Sequence, residues 1–134
     1  MDLTLEQLSD AGRSLFPGLI GVEIESVVDG RVHGRMELGD KHLAPNGYLH
    51  AAAVIGLADS ACGYGCILSL PEGATGFTTI ELKTNFLRTA KTGTITCEAT
   101  LVHGGRTTQI WDATVRDPDE RALALFRCTQ LVLR

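Results

Sequence analysis

Asp59 is the only formally charged residue between Gly47 and Leu70, in a run otherwise made of apolar, small and uncharged polar side chains. Ala51, Ala52, Ala53, Gly56, Ala58, Ser60, Ala61, Gly63 and Gly65 surround it in sequence. A carboxylate in such a setting costs free energy unless it is paired or put to use. Perturbed carboxylates gather where a reaction needs a base or a nucleophile. His50 stands nine residues earlier, just after the turn-forming Pro45-Asn46-Gly47. Ser60 is the hydroxyl beside Asp59, but no histidine is placed in sequence to activate it, so Ser60 is not read as a nucleophile. The structural alternatives are plain. Asp59 could accept hydrogen bonds at a subunit contact, His50 could cap or pack, and Asn46-Gly47 would mark a turn in any protein.

These residues need a rod to hold them. The run from Ala44 to Leu70 is too long for a strand and meets no proline between Pro45 and Pro71. Alanine and leucine favour helix, and Pro71 with Gly73 stops it. A helix that is apolar all round is a buried one. Each of its glycines costs about 1 kcal/mol relative to alanine, a cost that close approach of other backbone would explain. Upstream, residues 2 to 15 carry Leu3, Leu5, Leu8 and Leu15 between acidic positions, a short amphipathic helix that Pro17-Gly18 should end. Val22, Ile24 and Ser26 alternate with Glu23 and Glu25, Asp29-Gly30 makes a tight turn, and Val32 to Leu38 returns. Downstream the pattern has period two: Ile80 to Leu87, Ile95 to Leu101, Ile110 to Val115 and Ala122 to Leu133, separated by turns at Lys91-Gly93, His103-Arg106 and Asp117-Glu120.

The pattern predicts an α+β chain. A short N-terminal helix and a β-hairpin precede the buried helix, and a four-strand meander follows it. An antiparallel sheet of about six strands curled around one long central helix is the architecture of a hotdog fold. One such sheet leaves a strand edge and part of the helix open, so self-association is expected.

The 134 residues suit a single domain, 1–134, without metal or disulfide staples. A net charge of -4 and a pI near 5.5 give no basic footprint for nucleic acid. No polybasic run would hold a membrane surface. The Tyr48–Leu70 run has the length of a membrane span, but Asp59, His50 and its glycines argue against one. Cys62, Cys66, Cys97 and Cys128 read as reduced core thiols and not as a zinc set. The acidic N-terminus lacks a signal-peptide pattern, and the reducing cytoplasm is the expected compartment.

GYLHAAAVIGLADSACG on the helix resembles the hotdog-fold acyl-CoA thioesterases of the PaaI-like, phenylacetate-degradation type. Their motif places a glycine, two residues, His-Gly-Gly and then Leu-Ala-Asp on a helix. Gly47, His50 and Leu57-Ala58-Asp59 fall at those places. Asn85-Phe86-Leu87-Arg88, Gly93 and Gly105-Arg106 are similar to the family's strand and turn pattern. The resemblance implies thioester hydrolysis, with Asp59 as general base on water or as nucleophile. It also implies that the backbone N–H of Ala51 holds the carbonyl oxygen. No cofactor or metal is implied beyond the coenzyme A of the substrate. His-Gly-Gly is His50-Ala51-Ala52 here, with His50 in a structural or carbonyl-orienting role; the family's asparagine six residues before the histidine is Ala44, with Asn46 as its candidate replacement to polarise the carbonyl or place the water.

The reaction needs both parts: an anion or base for attack, and a preorganised donor for the oxyanion, which a helix N-terminus offers. Eight residues separate Ala51 from Asp59, about 12 Å along a helix and some 80° apart in direction. One carbonyl does not reach both in one subunit. A homodimer or dimer of dimers, with sites shared between two-fold partners, is therefore expected. Arg88, Lys91 and Arg106 are the candidates for the phosphates of coenzyme A. Tyr48, Leu57, Tyr64, Phe77 and Trp111 are candidates for the acyl pocket. A hotdog hydratase or dehydratase of acyl thioesters and a non-catalytic acyl-CoA binder are the alternative readings.

Overall fold

The computed structural model describes residues 4–134; Leu3 of the expected N-terminal helix lies outside that range. Thr4 caps α1 (Leu5–Arg13) by accepting the Gln7 N–H, while the Gln7 side chain accepts the Thr4 N–H. This is a reciprocal capping box. Pro17 does not end the helical region, as its position suggests. It lies in the first turn of a second helix, α2 (Phe16–Ile20), the one place where a missing N–H costs a helix nothing.

Strands β1 (Val22–Val28) and β2 (Arg31–Glu37) form a hairpin. Its two turn residues, Asp29 and Gly30, both have positive φ, 49° and 73°, as a type I′ turn requires. A single 3₁₀ turn (Asp40–His42) leads to α3 (Ala51–Leu68), the expected long helix. Then come β3 (Gly76–Phe86), β4 (Thr94–Gly104), β5 (Thr108–Arg116) and β6 (Ala122–Leu133).

All six strands join one antiparallel sheet in the order β1-β2-β4-β5-β6-β3. The four-strand meander is thus corrected. β4, β5 and β6 are successive hairpins, but β3 pairs with β6 and forms the far edge, while β4 pairs with β2. Alternation in sequence marks where strands lie and carries no information on which neighbours they take. The sheet curls around α3, whose Leu57, Ala58, Ala61, Cys62 and Cys66 pack against Val32, Met36, Ile95, Trp111, Val115 and Phe126. One stripe of α3 is left half-covered: Ile55, Asp59, Ser60, Gly63 and Ile67.

The helix glycines admit side chains, not the backbone that their number suggests. A Cβ on Gly65 would collide with the Trp111 ring and lie 2.9 Å from Val32, and one on Gly56 would lie 2.6 Å from Ile20. Trp111 in turn donates its indole N–H to Gln109 (2.8 Å), whose amide donates to the Ser69 carbonyl (3.0 Å). This chain ties the C-terminal end of α3 to the sheet. All four cysteines are buried and unpaired, and burial pushes the thiols of Cys66 and Cys97 up to about 12. They are inert core groups at neutral pH.

Gly65→Ala should gain about 1 kcal/mol of helix propensity yet lose more, because Trp111 has no room to retreat. We expect a net destabilisation of about 1–2 kcal/mol in urea unfolding. A variant as stable as the parent would show that Gly65 is not required by Trp111.

Candidate active site

The turn before α3 is built locally. The Asn46 side chain accepts the Tyr48 N–H at 3.1 Å, the Gly47 N–H donates to the Ala44 carbonyl at 2.8 Å, and the Ala44 N–H donates to the Tyr48 carbonyl at 2.7 Å. Gly47 has a φ of 85°, a left-handed backbone that glycine adopts without strain. Asn46 is exposed and its side-chain oxygen is engaged in the turn.

His50 is the N-cap of α3. Its Nδ1 accepts the Ala52 N–H at 2.9 Å, and its carbonyl accepts the Ala53 N–H at 3.0 Å. Just ahead of these two satisfied donors, the Ala51 N–H has no acceptor among the described residues, and Ala51 is exposed. A free donor at the positive end of an 18-residue helix is suited to an oxyanion.

The cap is positioned by a residue that the sequence does not single out. His42 is 2% exposed. Its Nδ1 accepts the Gly39 N–H at 2.9 Å, its Nε2 donates to the Ile20 carbonyl at 2.6 Å, and its carbonyl accepts the His50 N–H at 2.8 Å. That set of partners requires the neutral ring with the proton on Nε2. Within GDKHLAP nothing distinguishes His42 from a surface histidine, because its partners come from 22 residues upstream and from the loop itself.

Asp59 lies just over two helical turns beyond Ala51, about 12 Å along the axis. Its Oδ1 is buried with no hydrogen-bond partner among the described residues, and burial raises its carboxyl above the usual range. It opens on a groove of about 400 Å³ that is also lined by Ser60, Gly63, Tyr64, Ile67 and Phe77. The opposite wall, Leu8, Ala11, Leu15, Phe16 and Pro17, comes from α1 and α2. Sequence reasoning missed this wall, since an amphipathic helix shows its apolar face but not what that face covers. Of the acyl-pocket candidates, Tyr64 and Phe77 line the groove. Leu57 and Trp111 are fully buried core, and Tyr48 is exposed with the Lys91 ammonium 4.8 Å from its ring.

The three basic candidates do not converge within one chain. Arg88 and Lys91 follow β3 in the connection to β4, and Arg88 donates to the Ala122 carbonyl at 3.0 Å. Arg106 lies in the β4–β5 turn, where its carbonyl accepts from Arg134 at 2.9 Å. Lys91 sits near the start of α3 through Tyr48, whereas the β5 strand that follows Arg106 ties to Ser69 at the helix end.

The model of the thioesterase superfamily matches residues 46–124, which span the α3 N-terminus, Asp59 and β3 to β5. The chain belongs to that superfamily. A 1,4-dihydroxy-2-naphthoyl-CoA hydrolase of Listeria monocytogenes is 34% identical over 110 residues, covering 82% of this chain and 89% of that one. The structure of a Pseudomonas aeruginosa thioesterase matches with a TM-score of 0.91 at 28% identity, over 99% of this chain and 96% of its own. The PaaI protein of Escherichia coli matches with a TM-score of 0.83 at 22% identity, over 95% of this chain and 90% of its own, and shares the fold. The hotdog architecture and the thioesterase family read from the helix motif are both established by these likenesses.

The raised Asp59 carboxyl has a signed consequence for stability. Its folded value lies above its unfolded one. Ionisation therefore costs stability at pH values above both, and nothing once both states are protonated. Asp59→Asn should unfold at higher urea than the parent at pH 7, with the gap narrowing as pH falls through the raised folded value and gone below about 4. An equal or lower midpoint at pH 7 would show that a partner compensates the charge. His50→Ala should cost about 1 kcal/mol through loss of the cap, measured in the same unfolding series.

Proposed function

We propose that the protein is a cytoplasmic acyl-CoA thioesterase whose sites lie between two-fold-related subunits. The observation that carries the reading is the buried, unpartnered Asp59 oxygen facing an apolar groove in a chain of this superfamily. A carboxylate with a raised pKa is a stronger base than an exposed one. In the reaction, Asp59 takes a proton from water as the water oxygen bonds to the thioester carbon, or it attacks that carbon itself, forms a mixed anhydride as coenzyme A leaves, and is regenerated when water cleaves the anhydride to the free acid. The carbonyl electrons move to the oxygen, which the Ala51 N–H holds. The C–S bond then breaks, coenzyme A leaves as a thiolate that takes up a proton, and the free acid remains. This chemistry calls for no metal and no cofactor beyond the coenzyme A of the substrate.

Three features support a shared site. The donor and the base are about 12 Å apart on one rigid helix. The Asp59 stripe of α3 is half-open. The edge strand β3 and its exit expose Ile80, Leu82, Phe86 and Leu87 at 57%, 41%, 44% and 51%, an apolar edge that a second copy would cover. An antiparallel partner would also bring Arg106 of one end toward Arg88 and Lys91 of the other, around the phosphates of one coenzyme A. The hydratase alternative uses a free histidine with a carboxylate, and the His50 Nδ1 is occupied by the helix cap.

Two substitutions separate the parts. Asp59→Asn should lower turnover by more than about 10²-fold, read as free thiol release from a panel of acyl- and aryl-CoA thioesters. Ala51→Pro removes the donor N–H but suits the first position of a helix, and His50 already holds the extended φ and ψ (-69°, 133°) that precede proline. We expect a loss of about 10²-fold with the fold intact. Mixing the two inactive variants then tests the interface: heterodimers carry one undamaged site, and about a quarter of parental activity should return. No recovery in exchanged heterodimers would place the whole site within one chain.

A further inference from the structure

We propose that Tyr64 is the stop that sets acyl length, closing a second cavity beneath α1 and α2 off from the Asp59 groove; this rests on the thioesterase reading of that groove. The second cavity, about 320 Å³, lies between α1, α2 and β1. It is lined on its far side by Ser9, Arg13, Val22, Glu23 and Ile24. The two spaces share Gly12, Pro17 and Tyr64. Gly12 has no side chain and Pro17 is a fixed ring in the first turn of α2, so Tyr64 is the one shared residue whose side chain can rotate.

The phenol is held across the gap from the α1 side. Its hydroxyl donates to the Leu8 carbonyl at 3.3 Å, a long bond for this type. Gly12 makes the room: a Cβ there would collide with the Tyr64 hydroxyl. Tyr64 follows Asp59 by five residues, about 7.5 Å along α3. An acyl chain running from a carbonyl at Asp59 toward the helix C-terminus meets the ring after a few methylenes. Behind it, Val22 and Ile24 continue the apolar lining, beside the exposed Arg13 and Glu23.

The test uses non-hydrolysable thioether analogues of acyl-CoA, from butyl to dodecyl, titrated calorimetrically into the intact protein. Parental affinity should rise with each methylene and then level off at a short chain. Tyr64→Ala should move the plateau outward, so that the dodecyl analogue binds about tenfold tighter than to the parent. Tyr64→Phe keeps the ring and should keep the parental plateau. Adding Ile24→Trp to Tyr64→Ala should fill the second cavity and restore the short plateau. If thermal melting shows Tyr64→Ala to be unfolded, Tyr64→Leu makes the same opening with less loss of packing. A folded Tyr64→Ala or Tyr64→Leu with the parental plateau overturns the proposal. Because the analogues are not hydrolysed, a parent that binds them but releases no thiol from any acyl-CoA overturns the thioesterase reading alone. A parent that binds none of them overturns both.

Discussion

The structure depends on one constraint: α3 must be apolar enough to lie inside a curled sheet while carrying a carboxylate on its flank. Leu57, Ala61, Cys62 and Cys66 are fully buried, each turned toward the sheet. Burial of such side chains supplies most of the stability of a domain this size. Asp59 is tolerated because the stripe it shares with Ile55, Ser60, Gly63 and Ile67 is the one face that the sheet does not wrap. Even there its Oδ1 is left without a partner, so the fold holds a basic carboxylate at a cost in stability. Such a cost is common where a site is prepared for chemistry.

A second dependency runs through His42. By holding the Ile20 carbonyl, the Gly39 N–H and the His50 N–H together, it couples the end of α2 to the start of α3. α2 carries Phe16 and Pro17 of the groove wall, and the start of α3 carries the free Ala51 N–H. One buried neutral imidazole therefore links the groove wall to the free donor at the start of α3. His50 uses its own ring nitrogen to pair the Ala52 donor, and the preceding Ala51 N–H is left without an acceptor among the described residues.

Much of this was legible from residue types. Asp59 stood out because a lone charge within a long apolar run has few stable explanations. The helix around it was readable from its length and its stops. The Asp29-Gly30 turn was readable because two consecutive positive φ angles suit few dipeptides. Pro17 was misread, since proline ends one helix and begins another with the same local chemistry. The helix glycines were right as a sign of close approach and wrong about the partner, because sequence does not show that Trp111 and Ile20 arrive there.

The sequence by itself determined the period of each element, the place of the turns and the identity of the odd carboxylate, because these follow from local sterics and side-chain polarity. Strand order, the α1–α2 wall, the His42 clasp and the two cavities that meet at Tyr64 were decided only by the tertiary structure. These contacts reach across the chain, from 22 positions between His42 and Ile20 and 56 between Tyr64 and Leu8 to 69 between the paired Arg31 and Thr100. Such contacts are selected by burying one shared apolar volume, and no local pattern encodes which distant segment will supply the other half of it.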